Sequence, residues 1–534
     1  MRSRLCFTVV LIVFALGLVS LAPAQQAAPR VQPSGQVQAT SVLRTPEMMD
    51  AFEATNVAPT PRVAPFRPTM DLATYKQLKQ QAAHGSRPNI SSPGSFAPPV
   101  FASEFAGPNE CNGTGGCWYP PDVSASSGAF NELVAVHNNL FSVYSNAGVQ
   151  LKLISLNAFF GYATQPFTDP RVVYDSVWSR WCVTSVAFPE SATVQFLGIA
   201  CSVNGNALGG WHVYLVDVAF GGSGGFYDFP MVGDSQDSAL FTANVFTSTG
   251  FQGSSLFAVS KATLFNGRGF SVPLYLGLQA TLQPARELID GNGVAWLAAA
   301  NSAGSGTGNI AMYALGYPAA SFGYADNRLY GPFNLAVPAY SAPPSAPQAV
   351  CTGAANNLDT SDTRFVNMGI QNGDLYYQAH SINDVSATPR YYIISGLKSF
   401  DPVAGTASLA LKETGLFFAT STSSDFNVSI AADGGNRMVL NWTSVDATNS
   451  VNPQVRFTGK LSTDPAINGS GIGTVAYNSP ACLSGNFQNN FGEQRWGDYS
   501  QASSDPATSG QFWIDNEVVN NTNTWSTEIV RIHF

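Results

Sequence analysis

The chain runs to 534 residues, of which 45% are hydrophobic and 11% charged, with 25 basic against 34 acidic side chains. Charge this sparse, against roughly 25% in an average soluble domain, excludes a long solvated helical protein, and the acidic balance excludes a nucleic-acid partner, whose phosphates need a basic surface. The 49 Gly, 35 Phe and 19 Tyr describe a turn-rich, aromatic-rich chain able to bury a large core.

Residues 1–24 read as a secretory signal: Arg2 and Arg4 precede an apolar stretch from Phe7 to Leu21, and Ala22-Pro23-Ala24 supplies the small-residue exit. No later run reaches the roughly 18 apolar residues of a membrane-spanning helix, so a secreted, cell-surface or periplasmic protein is expected. Residues 25–94 are rich in Pro, Ala and Gln without sustained alternation, and a partly disordered linker or pro-segment is expected there. Within it, DLATYKQLKQQAAH at 71–84 predicts a short helix capped by Asp71.

Six cysteines remain beyond the signal, an even number that favours disulfides in an exported chain. Cys111 and Cys117 enclose the loop CNGTGGC and are expected to close on each other. Cys182 and Cys201 flank a hairpin-like stretch whose facing positions lie within bonding distance, which leaves Cys351 with Cys482. There is no CxxC pair and the five His are scattered, so no zinc site is expected.

From about residue 118 the chain changes to short β-type runs separated by Gly, Asn, Asp, Ser and Pro. A strand, a turn and an apolar-aromatic strand recur from 122, 169, 229, 285, 362, 425 and 495. Leu133, Trp181, Leu240, Trp296, Leu375, Met438 and Phe512 take equivalent places, 48 to 79 residues apart. That spacing suits four-stranded blades and predicts an all-β, seven-bladed β-propeller over residues 95–534. Asn292-Gly293, Asn372-Gly373 and Asp433-Gly434 mark tight turns between first and second strands. The last unit ends one strand short at Phe534, so a strand from 95–107 is expected to complete it.

The stretches DPRVVYD with a later RW, RWGDYSQASSDP with a later FW, and PPDVSAS with LVAVHNNLFSVY resemble those of exported bacterial β-propeller proteins, loosely similar to the sialidase-like propeller superfamily. The resemblance spans residues 118–534 and implies a propeller and export. In sialidases three arginines grip the substrate carboxylate, a Tyr with a Glu is the nucleophile, and an Asp is the acid/base. Here Arg171, Arg364 and Arg495 stand at or near the starts of innermost strands in three units, ends that converge on one mouth of the channel. Asp169, Asp362 and Asp498 are the neighbouring carboxylates and Tyr499 the candidate nucleophile. The alternative is that each Arg pairs with the Asp beside it or in the next blade and holds the ring together. The FRIP and SxDxGxTW motifs of sialidases are absent.

Asp498, Asp505 and the turn SSDPATSG at 503–510 are oxygen-rich and are the candidates for calcium, the one cofactor weighed; their spacing is not that of an EF-hand. GGSGG at 221–225 fits GxSxG around Ser223, without the strand and helix of a nucleophile elbow. His137, His212 and His380 fall in β-type runs with no paired acid at useful spacing. Trp118, Tyr119, Trp178, Trp181, Trp211, Trp496 and Trp513 offer rings either for the core or for stacking on sugars. With no complete catalytic constellation, the expectation is an exported, non-catalytic binding or surface-associated module for a glycan or another extracellular polymer. The alternative is a glycoside hydrolase or lyase that uses carboxylates and arginines at the channel mouth.

Overall fold

The computed structural model describes residues 25–534 apart from 56–61, 65, 83–95, 112–116, 190, 192, 220–224, 290–292, 303–304, 317–327 and 486–491. The signal segment 1–24, the Ser223 loop and Asn292 therefore lie outside the described residues.

Each recurring unit opens on an innermost strand: β1 (Ser124–Ser127), β2 (Phe167–Asp175), β3 (Phe226–Asp234), β4 (Gln283–Glu287), β5 (Gly369–Asn372), β6 (Ser424–Ala432) and β7 (Gln501–Ser504). Each pairs antiparallel with the strand that follows it, and the equivalent residues from Leu133 to Phe512 all lie in those second strands. Two further antiparallel strands complete each unit, and in the last unit Val100–Ala106 is the outermost, against Thr524–His533. Consecutive innermost strands touch one another from β1 to β7, and β7 touches β1, so the units wrap an axis as an all-β propeller.

The core follows from that arrangement. A sheet buried on both faces needs apolar residues on both, and the hydrophobic clusters sit between neighbouring units. Trp181 and Trp211 pack between the first and second, Trp296 with Phe333 between the fourth and fifth, and Trp513 with Leu133 between the seventh and first. Each such side chain contributes about 2–3 kcal/mol on burial. The packing is close enough that a Cβ on Gly128 would overlap the Trp181 indole.

The turns at the far ends of the innermost strands are built on acids. Asp175 Oδ1 accepts from Val177 N and Trp178 N at 2.9 Å, Asp433 Oδ1 from Gly435 N at 2.9 Å and Arg437 N at 3.0 Å, and Asp505 Oδ1 from Ala507 N at 2.8 Å and Thr508 N at 3.0 Å. Gly293 and Gly373 take φ of +65° and +61°, as a tight turn demands, while after Asp433 the positive φ falls on Asn436 and not on Gly434.

Residues 26–53, where a linker was expected, form four short strands and a helix against the propeller. Gln26–Ala27, Arg30–Val31, Gly35–Ala39 and Ser41–Arg44 pair in turn with Thr406–Ala407 in the fifth unit and with the outermost strands of the fourth, third and second. The helix α1 (Pro46–Glu53) then packs on the first unit, where Lys152 meets Asp50 at 2.6 Å and Ser155 Oγ donates to Glu53 at 2.6 Å. Outermost strands present unpaired backbone groups, and this segment covers them. Such an edge strand needs N–H and C=O groups more than apolar alternation, so its composition resembles that of a linker. A second helix, α2 (Leu72–Gln81), is capped by Asp71, whose Oδ1 accepts from Thr74 N at 2.9 Å.

Cys111–Cys117, Cys182–Cys201 and Cys351–Cys482 are bonded, and Cys182 and Cys201 are direct register partners on adjacent strands. Three disulfides place the chain in an oxidising environment. Among the described residues no helix is long and apolar enough to cross a membrane.

Candidate functional site at the channel mouth

Three innermost strands share an irregularity near their starts. Their register with the second strand shifts between Thr168 and Arg171, between Asp228 and Met231, and between Phe426 and Ser429. Within each bulge one residue takes positive φ: Asp169 at 53°, Phe229 at 56° and Asn427 at 54°. That region is strained for a residue with a side chain, and a bulge re-aims its neighbours. The side chains from these bulges meet at one end of the channel, with the segments leading into β1, β5 and β7.

At the centre Phe229, Met231, Val366 and Tyr499 form an apolar knot. Arg171, fully buried, donates to Val366 O at 2.7 Å and to Asn367 Oδ1 at 3.0 Å, and its guanidinium carbon lies 3.1 Å from the centre of the Tyr499 ring. It does not pair with Asp169, because that carboxylate accepts from Phe229 N at 3.1 Å in the next unit. Arg364 does grip the acid beside it, Nε to Asp362 Oδ1 at 2.9 Å and Nη2 to Asp362 Oδ2 at 2.7 Å. Arg495 donates to Asp498 Oδ1 at 2.6 Å and lies 3.9 Å from Asp359. A cavity of about 10 Å³, room for one water, lies among Asp359, Asp362, Asn427, Arg495 and Asp498.

Two further acids belong to this cluster and escape the sequence reading. Asp122 accepts from Asp498 N at 2.7 Å and from Asn138 Nδ2 at 2.6 Å; Glu517 accepts from Gly497 N at 2.6 Å. Asp122 has a signal in its place: like Asp169 it takes positive φ at the entry to an innermost strand, 47°, and a proline adjoins each. Glu517 carries one in its surroundings, as one of two carboxylates, with Asp515, within the otherwise largely apolar second strand FWIDNEVV.

Burial dominates the electrostatics. It pushes the Asp122 carboxyl up to about 7, helped by the charge of Asp498, and lifts Asp169 and Glu517 well above the carboxylate range, with Asp228 adding to the shift of Asp169. The Tyr499 hydroxyl is raised well above 10 by burial and then by Asp169. Burial lowers the Arg171 guanidinium; it also opposes the charge on Arg364 and Arg495, but there Asp362 and Asp498 outweigh it. Tyr499 Oη, Arg171 Nε and Glu517 Oε1 are buried without a hydrogen-bond partner among the described residues.

The arginines, acids and tyrosine singled out from the sequence thus meet at one mouth, and the remaining candidates do not join them. Asp498 and Asp505 stand at opposite ends of β7, and Asp505 is held by its own turn, by Gln511 Nε2 at 2.6 Å and by Trp513 Nε1 at 2.9 Å, so the two do not converge on one calcium ion. Of the seven aromatics only Trp178 reaches solvent, 38% exposed; the others are core. His137 does have an acid nearby, Asp515 of the seventh unit at 3.5 Å, in a fully buried contact next to Asn138, which bonds Asp122 and Asp169. Burial brings the His380 pKa down to about 3, against the opposing effect of its hydrogen bond with Thr363 O at 2.7 Å.

No family model matches the chain, and no curated protein matches it. Similar solved structures include a Saccharomyces cerevisiae complex of Dbp5 with Nup159 and Gle1, at 8% identity and TM-score 0.36, covering 84% of this chain and 99% of that one. An exo-β-1,3-galactanase from Phanerochaete chrysosporium with galactose is similar at 10% identity and TM-score 0.31, covering 81% and 100%. A Trypanosoma rangeli sialidase is similar at 9% identity and TM-score 0.34, covering 69% and 55%. The expectation of a non-catalytic binding module is set aside for the alternative, a glycoside hydrolase or lyase, which rests on the residues at the mouth. These likenesses concern the fold; the chemistry has to come from the residues at the mouth.

Proposed function

We propose that the protein is an exported, seven-bladed propeller that hydrolyses a glycosidic bond at its channel mouth. The observation that carries this is Tyr499: fully buried, its hydroxyl without a partner, its ring against the Arg171 guanidinium, and the charges of Asp169 and Asp122 bearing on it. A buried tyrosine normally finds a partner for its hydroxyl, and leaving it without one costs about 1–3 kcal/mol. A hydroxyl whose partner is a substrate accounts for that cost.

In this reading Asp122, protonated up to about pH 7, gives its proton to the leaving-group oxygen as the glycosidic bond breaks. Tyr499 keeps its proton, and its hydroxyl oxygen stabilises the positive charge that develops at the anomeric carbon. Water then adds to that carbon and its proton returns to Asp122, while Asp169, which burial holds protonated, takes no proton. Arg364 and Arg495, fixed by Asp362 and Asp498, supply oriented positive charge and do not offer free guanidiniums for a substrate carboxylate.

The test is to incubate the full chain with neutral, amine-bearing and anionic oligosaccharides and to read released sugar by mass spectrometry beside Tyr499→Phe and Asp122→Asn. Release that each substitution lowers by about 100-fold or more supports the reading. Equal release from all three proteins contradicts it.

A further inference from the structure

Residues 62–82 cross the mouth. Arg62–Val63 runs parallel to Trp118–Tyr119, and Phe66 lies with its ring centre 5.2 Å from the Arg495 guanidinium and 5.1 Å from the Tyr75 ring. Arg67 pairs with Asp228 at 3.3 Å. Lys79 Nζ donates to Thr360 Oγ1 at 2.6 Å and to the Ser361 carbonyl. Tyr75 and Lys79 are the buried residues of α2, and the charges of Asp359, Asp362 and Glu493 bear on both.

This stretch is held differently from its flanks. Gly35–Ala39, Ser41–Arg44 and Val100–Ala106 are tied to outer strands by backbone ladders, whereas in the cover the last backbone tie to the strand beneath is Ala64 N to Tyr119 O at 2.6 Å, and Phe66, Arg67 and Lys79 make their contacts through side chains. Its helix has 10 residues, too few to be stable alone, and a groove of about 510 Å³ runs along its flank between Lys76, Lys79 and Glu493. Segments with so few buried apolar contacts are those that open locally while the rest of a fold stays closed. The charges are complementary. The cover carries Arg62, Arg67, Lys76 and Lys79 against the single Asp71, and the rim beneath offers Asp228, Asp359, Asp362 and Glu493 around two arginines that already have their own carboxylates.

We infer that residues 62–82 are an internal plug seated in the ligand position of the mouth, and that Lys79 marks a subsite for the ammonium group of an amine-bearing saccharide. Thr360 Oγ1 and the Ser361 carbonyl accept from the Lys79 ammonium, with carboxylates behind them, and a sugar amine presents the same donors on a ring whose hydroxyls can serve the remaining acids. A uronate or sialoside carboxylate would meet more acids than open arginines. The plug and its subsite rest on this geometry; that the ligand is also cleaved rests on the hydrolase reading above.

Two variants of the full chain test it, Lys79→Met, which removes the ammonium and keeps the stem, and Phe66→Ala, which removes the ring beside Arg495. Hydrogen exchange at amides 359–364 and 495–499 reports uncovering, and calorimetry with glucosamine oligomers, N-acetylglucosamine oligomers and oligogalacturonate reports the ligand class. The expected result is faster exchange confined to those amides, and glucosamine-oligomer affinity raised by roughly tenfold or more, as follows when a closed state masks a site. A peptide of residues 62–82 added in trans should compete. Loss of protection throughout the innermost strands in both variants, or tightest binding to oligogalacturonate, overturns the inference. Binding without sugar release upholds the plug and removes the hydrolase reading; equal release by wild type and both variants removes the plug and keeps the hydrolase.

Discussion

The two ends of the channel use the same residue types in opposite ways. At the far end, Asp175, Asp433 and Asp505 each hold the amides of their own turn, and Lys261 joins Asp175 at 2.5 Å to Asp234 at 3.1 Å. The motif repeats, stays local and needs no positive φ on the acid. At the mouth, Asp122 and Asp169 sit on positive φ and reach into other units, Arg171 crosses the channel to Val366, and a tyrosine hydroxyl is left without a partner. Repeated polar groups that stay within their own turn hold a fold, even though Tyr174 Oη and Asp234 Oδ1 at that end are also buried without a partner among the described residues. Strained, non-repeating groups that reach across units are the mark of a site.

The largest loss of stability is expected from the far end. Asp505→Ala strands the amides of Ala507 and Thr508 together with Gln511 and Trp513, and should cost about 3 kcal/mol in denaturant unfolding without changing turnover per folded molecule. Arg171→Ala removes two hydrogen bonds and the stack on Tyr499, and should cost about 2 kcal/mol while also abolishing turnover. An Arg171→Ala protein that melts lower and still turns over at the wild-type rate would make that arginine purely structural.

The next effect is a pH dependence. The Asp122 carboxyl titrates near 7 in the fold against an ordinary 3.8, so between those values the folded state holds a proton the unfolded state has lost. Stability should therefore fall as pH rises from 4 to 7, with a slope of about 1.4 kcal/mol per pH unit for one such group. Asp234 at the far end, pushed up to about 6 by burial, adds to that slope below 6. Asp122→Asn should lower the slope between pH 4 and 7 by about 1.4 kcal/mol per pH unit and leave the contributions of the other raised acids, Asp234 and Glu528 among them, in place; an unchanged melting profile across that window would show that the mouth acid is not held protonated.

The sequence showed the periodic part of this molecule and hid the part that breaks the period. Leu133 to Phe512 fall in second strands because a sheet buried on both faces forces an aromatic or aliphatic residue at the same place in each unit. Cys182 and Cys201 were readable because a hairpin fixes their register. Asp122 was missed because its bond from Asp498 N comes from the opposite end of the chain, across the junction of the first and seventh units, and Glu517 because its partner is a backbone amide, that of Gly497. The strands at 26–44 were missed because edge pairing is written in backbone groups, which every sequence has. Arg171 was correctly placed at the mouth, but its partners are a carbonyl and an asparagine far along the chain, and residue type alone suggested the neighbouring Asp169.

The most direct test of the difference between the two ends is a paired measurement on Tyr499→Phe, its melting temperature and its release of sugar from the oligosaccharide the wild type cleaves fastest. The account predicts stability raised by about 1–3 kcal/mol, because the substitution removes a buried hydroxyl that has no partner among the described residues, together with a fall in turnover of about 100-fold or more. Turnover equal to wild type would contradict it and make the mouth, like the far end, a device for holding the ring.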